Sequence, residues 1–163
     1  MSETTELASD LAAAHHEVLG LIDSCSDEQW RTATDDEGWP VGVVFNHIAD
    51  GSGAFQGWIG QHLRKEPVVQ DMDAINAGTA QRVAGPAGRT REETRRRVED
   101  AGNALSDLIA GLSDEQLYAP LPSAPADGRE VTAARLGRRA LRHTRGHHQS
   151  CRVALGLSPE GGA

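Results

Sequence analysis

Arg142-His143-Thr144-Arg145-Gly146-His147-His148-Gln149-Ser150 reads as the middle of a helix, and the rest of the chain can be read outward from it. His143 and His147 stand four residues apart. On an α-helix that spacing stacks two side chains on one face, one turn above the other. Two imidazoles so placed can share a divalent metal, which takes His nitrogen at about 2.0–2.1 Å. The flanking positions fit the same helix. Leu136, Ala140, His143, His147 and Ala154 share a face, with Ser150 and Cys151 at its edges. Arg135, Arg138, Arg142, Arg145 and Arg152 point mostly elsewhere, and Arg139 lies near enough to the edge to reach a pocket mouth. Small and aliphatic neighbours leave room around the two histidines. His148 is about 140° round from His143 and falls outside the pair. The pattern predicts a last long helix from about Thr132 to Leu155.

Three further runs have helical periodicity. From Glu3 to Ser24, Leu7, Leu11, Val18, Leu21 and Ile22 recur at that spacing. His15 falls on or beside the stripe and reads as an ordinary buried or surface histidine, with a pocket-lining role as the sharper alternative. From about Pro40 toward Arg64, Val43, Val44, His47, Ile48, Phe55, Trp58, Ile59 and His62 fall largely on one side. His47, Gly51, Phe55, Trp58 and His62 lie within about 80° of each other. Gly51, Gly53, Gly57 and Gly60 each cost a helix interior about 1 kcal/mol against Ala. Either they break the helix near Gly51, or they admit another helix or a ligand close to the backbone. From Arg91 to Leu112 the stripe is Val98, Ala101, Leu105, Leu108, Ile109 and Leu112, opened by Thr90 with Glu93 at the capping-box position. Arg95-Arg96-Arg97 reads as its solvated face.

The connections carry their own signals. Ser26-Asp27-Glu28-Gln29-Trp30 is a helix start, echoed by Ser113-Asp114-Glu115-Gln116-Leu117. Thr32 to Gly38 is a polar, acidic loop, and Trp39-Pro40 ends it. Met72 to Val83 is compatible with a short helix, Gly85-Pro86-Ala87-Gly88 with a turn, and Tyr118 to Gly128 with a Pro-rich loop. No stretch alternates like a strand. The expectation is an all-α fold: one domain over residues 1–163, an antiparallel four-helix bundle with short extra helices.

Composition excludes several functions. A net charge of −8 disfavours non-specific nucleic-acid binding. All but one of the 16 basic residues are Arg, a bias that says little about function. No apolar run approaches the ~20 residues of a membrane span, and the first residues do not resemble a signal peptide. The two cysteines, Cys25 and Cys151, are not a CxxC pair and read as free thiols in a reducing cytoplasm. A homodimer is expected, with Phe55 and Trp58 offering apolar surface where they are not buried.

Two histidines from one helix do not close a metal site, and the best third ligand is His47 in Val44-Phe45-Asn46-His47-Ile48-Ala49. Bundles build metal sites from side chains on facing helices in this way. At this point the chain resembles the DinB/YfiT-like superfamily of four-helix metalloenzymes. The marks are a His in the second long helix, here within Trp39 to Ala49, and the His143-x-x-x-His147 pair in the last. The opening, with Ser26-Asp27-Glu28-Gln29-Trp30, Gly38-Trp39 and His47, is similar to the N-terminal domain of mycothiol-dependent maleylpyruvate isomerases. The resemblance implies that His47, His143 and His147 bind a divalent metal, Zn or Ni. It implies an open position for a mycothiol-like thiol cosubstrate, whose thiolate attacks a small electrophile. Metal-dependent hydrolysis is a neighbouring alternative, although no Asp or Glu lies on the His143 stripe and Asp50 sits ~60° to one side of His47. A stress-related metal or small-molecule binding protein without turnover is the non-enzymatic alternative.

Overall fold

Three of the four long helices begin where a side chain accepts a hydrogen bond from the backbone N–H groups that a first turn leaves unpaired. The computed structural model describes residues 2–66, 89–120 and 131–158, together with Asp73, Ala77 and Gln81. Helix α1 spans Glu3–Ser24 and is capped by Ser2. The single turn α2 spans Asp27–Trp30. Helix α3, Val41–Leu63, has no side-chain cap and starts on Pro40, whose fixed φ suits a helix entry. Helix α4 spans Arg91–Ala110, with Thr90 and Glu93 in a reciprocal capping box. The short α5 spans Asp114–Tyr118, and α6, capped by Thr132, spans Ala133–Ala154. The two echoed motifs do the same job: Ser26 with Gln29, and Ser113 with Gln116, each form a capping box. Among the described residues there is no strand, and the one isolated bridge joins Ala33 to Pro40. The short helix read over Met72–Val83 and most of the loop read over Tyr118–Gly128 lie outside the described residues; Asp73, Ala77 and Gln81 are helical.

The protein is thus an all-α helical bundle. α1 packs on α4 and α6, and α3 packs on the same two helices. Contact pairs give the directions. Asp23 meets Arg95 and His15 meets Gly102, so α1 and α4 run antiparallel. His47 meets His147 and Gly51 meets His143, so α3 and α6 are antiparallel too. Glu3 with Arg138 and Asp10 with Arg145 make α1 and α6 parallel. Asn46 with Thr94 and Asp50 with Arg97 do the same for α3 and α4. No helix among the described residues is long and apolar enough to cross a membrane.

The core is mostly aliphatic and divided in two. One cluster gathers Leu11, Ala14, Phe55, Ile59, Leu105, Ile109, Leu136 and Ala140; the other gathers Val18, Ile22, Val44, Phe45, Ile48, Val98 and Cys151. On every long helix a polar or glycine position separates the halves: His15 on α1, Ser52 on α3, Gly102 on α4, and His143 with Thr144 on α6. His15 is 3% exposed and spans this layer. Its Nδ1 donates to the Leu11 carbonyl at 2.8 Å, and its Nε2 lies 2.8 Å from Ser52 Oγ. His15 is thus a buried, hydrogen-bonded histidine, and His16 is exposed. Phe55 is buried and Trp58 packs against the core, so neither is a free apolar face.

Candidate metal centre

Antiparallel pairing of α3 with α6 sets His47 opposite His147 and Gly51 opposite His143. The glycines do not interrupt α3, which is continuous over Val41–Leu63. Gly51 instead admits its neighbour. A Cβ built there would lie 2.3 Å from His143 Cε1 and 2.8 Å from Nδ1, whereas Gly53 and Gly57 have nothing within 4 Å. The imidazole of His143 therefore rests on bare backbone. Phe55, one turn further along α3, sets its ring edge-on to the same imidazole at 6.1 Å. The buried Nδ1 of His143 has no hydrogen-bond partner among the described residues, so packing rather than a hydrogen bond holds the ring on that side.

His47, His143 and His147 come together. Their candidate ligand atoms all lie within 4.8 Å of one another. His143 Nε2 and His47 Nε2 are 3.1 Å apart. Two nitrogens bound to one tetrahedral ion at 2.0–2.1 Å would stand about 3.3 Å apart. The pair is within a few tenths of an ångström of that separation, so the cluster is compatible with a metal site. The ring centroids are 4.6–4.9 Å apart. Trp39 meets His47 edge-on at 5.3 Å and forms one wall.

Other residues singled out by the sequence lie elsewhere. His148 is 4% exposed, buried on the adjoining face of α6 with Thr144 and Cys151, and is not in the cluster. His62 shares the α3 stripe, but fifteen residues of helix carry it about 22 Å from His47 along the axis. Asp50 accepts from Arg97 at 2.6 Å, and Arg97 also donates to Asn46 at 2.7 Å. That network ties α3 to α4 and keeps Asp50 out of the cluster.

The sequence reading missed the carboxylates. Glu37 Oε1 lies 3.7 Å from His147 Nδ1, and Asp36 accepts a hydrogen bond from Ser150, three residues beyond His147. Both come from residues 32–38, and the acidic run ahead of Trp39 was their one visible signal. The segment is closed on itself. The Thr34 amide and hydroxyl both donate to the Trp39 carbonyl, at 2.9 and 3.1 Å, and the Gly38 amide donates to the Thr34 carbonyl at 2.9 Å. Gly38 turns the chain at φ 68°, a conformation glycine adopts at no steric cost.

Electrostatics favour neutral imidazoles. Burial, aided by the charges of His147, His47, Arg139 and His15, pushes His143 from 6.5 down to about 3. Burial also lowers His147, against the opposing pull of Asp36. The Ser150 hydrogen bond holds Asp36 below the usual carboxylate range, while burial and Asp36 raise Glu37. Neutral imidazole is the form a metal binds. His15 and His62 are lowered by burial as well. For these four groups the unfolded chain takes up protons below about pH 6.5 that the folded chain refuses, so stability rises with pH in that window. We expect the metal-free protein to unfold at lower urea at about pH 5 than at about pH 7.5; equal or reversed midpoints would contradict the histidine shifts.

No curated protein and no solved structure matches this chain. The model of the DinB superfamily matches residues 10–151, which include His47, His143 and His147, and the protein belongs to that superfamily.

Proposed function

We propose that the protein is a metal-dependent enzyme that joins a low-molecular-weight thiol, mycothiol-like in kind, to a small electrophilic substrate. The observation that carries this reading is the convergence of His47, His143 and His147 from two helices. Three protein ligands are the pattern of a catalytic site with an open position, whereas structural sites close all four. A divalent metal held there, Zn or Ni, supplies a Lewis acid that lowers the pKa of a coordinating thiol to give the nucleophile.

The chain's own side chains do the rest. Burial favours the neutral form of His143 and His147, His47 completes the cluster, and Trp39 and Phe55 wall it with apolar surface. Asp36 and Glu37 add negative charge beside it, which favours a cation. The nucleophile has to come from outside. Cys25 and Cys151 are buried, and burial pushes Cys25 up and Cys151 up to about 12, so neither provides a thiolate near neutral pH.

Elemental analysis of protein purified without a His tag is expected to find about one divalent metal per chain. The loaded protein should then consume a small thiol in the presence of a generic electrophile such as an epoxide or aryl halide. Metal without thiol consumption would indicate the non-enzymatic binding protein. Turnover of activated esters without thiol would indicate the hydrolase. Protein with no affinity for Zn or Ni would overturn the metal reading.

A further inference from the structure

We infer that Glu37 is a positioning residue for His147: its carboxylate takes the Nδ1–H of that ring and so turns the Nε2 lone pair toward His47 and His143. This rests on the metal reading proposed above. An imidazole has two nitrogens, and in its neutral form one donates while the other accepts. A carboxylate beside one nitrogen draws the hydrogen there and leaves the other as the ligand atom, the usual arrangement behind a metal-binding histidine.

The geometry supports the role. Glu37 Oε1 is the acidic atom facing His147 Nδ1, at 3.7 Å; the His147 side chain is 16% exposed, and Glu37 reaches it from an exposed position with its own side chain 29% exposed. That distance exceeds a hydrogen bond by about 0.8 Å, a gap of the kind that closes when a site binds its ligand. The backbone is already braced for it. Thr34 and Gly38 close the loop on itself, and Asp36 fastens it to Ser150, on the turn of α6 after His147. Glu37 stays outside the cluster whose atoms lie within 4.8 Å of one another, so in this arrangement it acts through His147 and is not itself a ligand. His143 has no such partner at Nδ1 among the described residues and is set by packing, so the two histidines of α6 are oriented by different means.

The test is metal affinity of the full chain, stripped with chelator and titrated with Co²⁺ by absorbance and with Zn²⁺ against a chelating dye. Glu37→Ala should weaken binding about 10–100-fold and alter the Co²⁺ visible bands. Glu37→Gln, whose amide oxygen can still accept from Nδ1–H, should recover part of the loss. Asp35→Asn removes a neighbouring charge at an exposed position and should bind like the parent. Urea midpoints of the metal-free proteins separate a folding defect from a site defect. Unchanged affinity in Glu37→Ala overturns the inference and leaves the metal reading standing. An equal loss in Asp35→Asn also overturns it, because the effect is then bulk charge. A parent protein that binds neither ion removes the inference and the metal reading together.

Discussion

Gly51→Ala is expected to cost the protein most of its metal affinity while leaving the bundle folded. The added methyl would stand 2.3 Å from His143 Cε1, and ordinary contact starts at 3.4 Å, so the ring must retreat by about 1 Å. Metal–ligand distances tolerate only about 0.2 Å, so a displacement of that size breaks the bond and does not merely stretch it. The stability terms oppose each other. Ala gains about 1 kcal/mol over Gly in a helix interior, while overpacking costs about 1–3 kcal/mol. We therefore expect a small change in the metal-free urea midpoint and a drop in metal affinity of about tenfold or more. Gly53→Ala, with open space at its Cβ, is the control and should keep its metal. If Gly51→Ala binds metal as the parent does, His143 is not held where it must be to act as a ligand.

The second large effect separates two neighbouring histidines. His143→Ala should reduce bound metal from about one per chain to about a tenth or less, because two ligands remain where three converged. His148→Ala should keep the metal. It should lose about 1–3 kcal/mol of stability instead, since a side chain 4% exposed is removed from packed surroundings. Elemental analysis and urea unfolding on the same two preparations read both effects. If His148→Ala empties the site and His143→Ala does not, the face of α6 that carries the centre has been misassigned.

Helix periodicity reported this fold well because each long helix buries a stripe set by its own sequence. The observed bounds of α1, α3, α4 and α6 fall within about two residues of those read from Leu, Val and Ile spacing and from caps such as Thr90 and Thr132. The i, i+4 rule placed His143 beside His147, and the α3 stripe supplied His47. Three things were not legible. The two readings of Gly51 differ in whether a partner arrives, and that is a fact about α6, not α3. The parallel run of α3 with α4 shows in contacts between the two helices, such as Asn46 with Thr94 and Asp50 with Arg97, which the pattern within either helix does not give. Glu37 and Asp36 reach the site because Gly38 turns the loop and Ser150 receives it, and no periodicity within residues 32–38 encodes either.

The divided core also fixes alignment. Two apolar halves made of interchangeable aliphatic side chains would let one helix slide a turn past another, with leucine exchanged for leucine at little cost. The band of His15, Ser52, Gly102 and His143 removes that freedom. A shift of α1 by one turn, about 5.4 Å, would take His15 away from Ser52 and press its ring against a residue bulkier than Gly102. A shift of α6 by the same amount would move His143 off Gly51 and into side chains. The layer therefore works as an index mark. It admits one vertical setting of the helices, and that setting is the one in which three imidazoles from two helices meet.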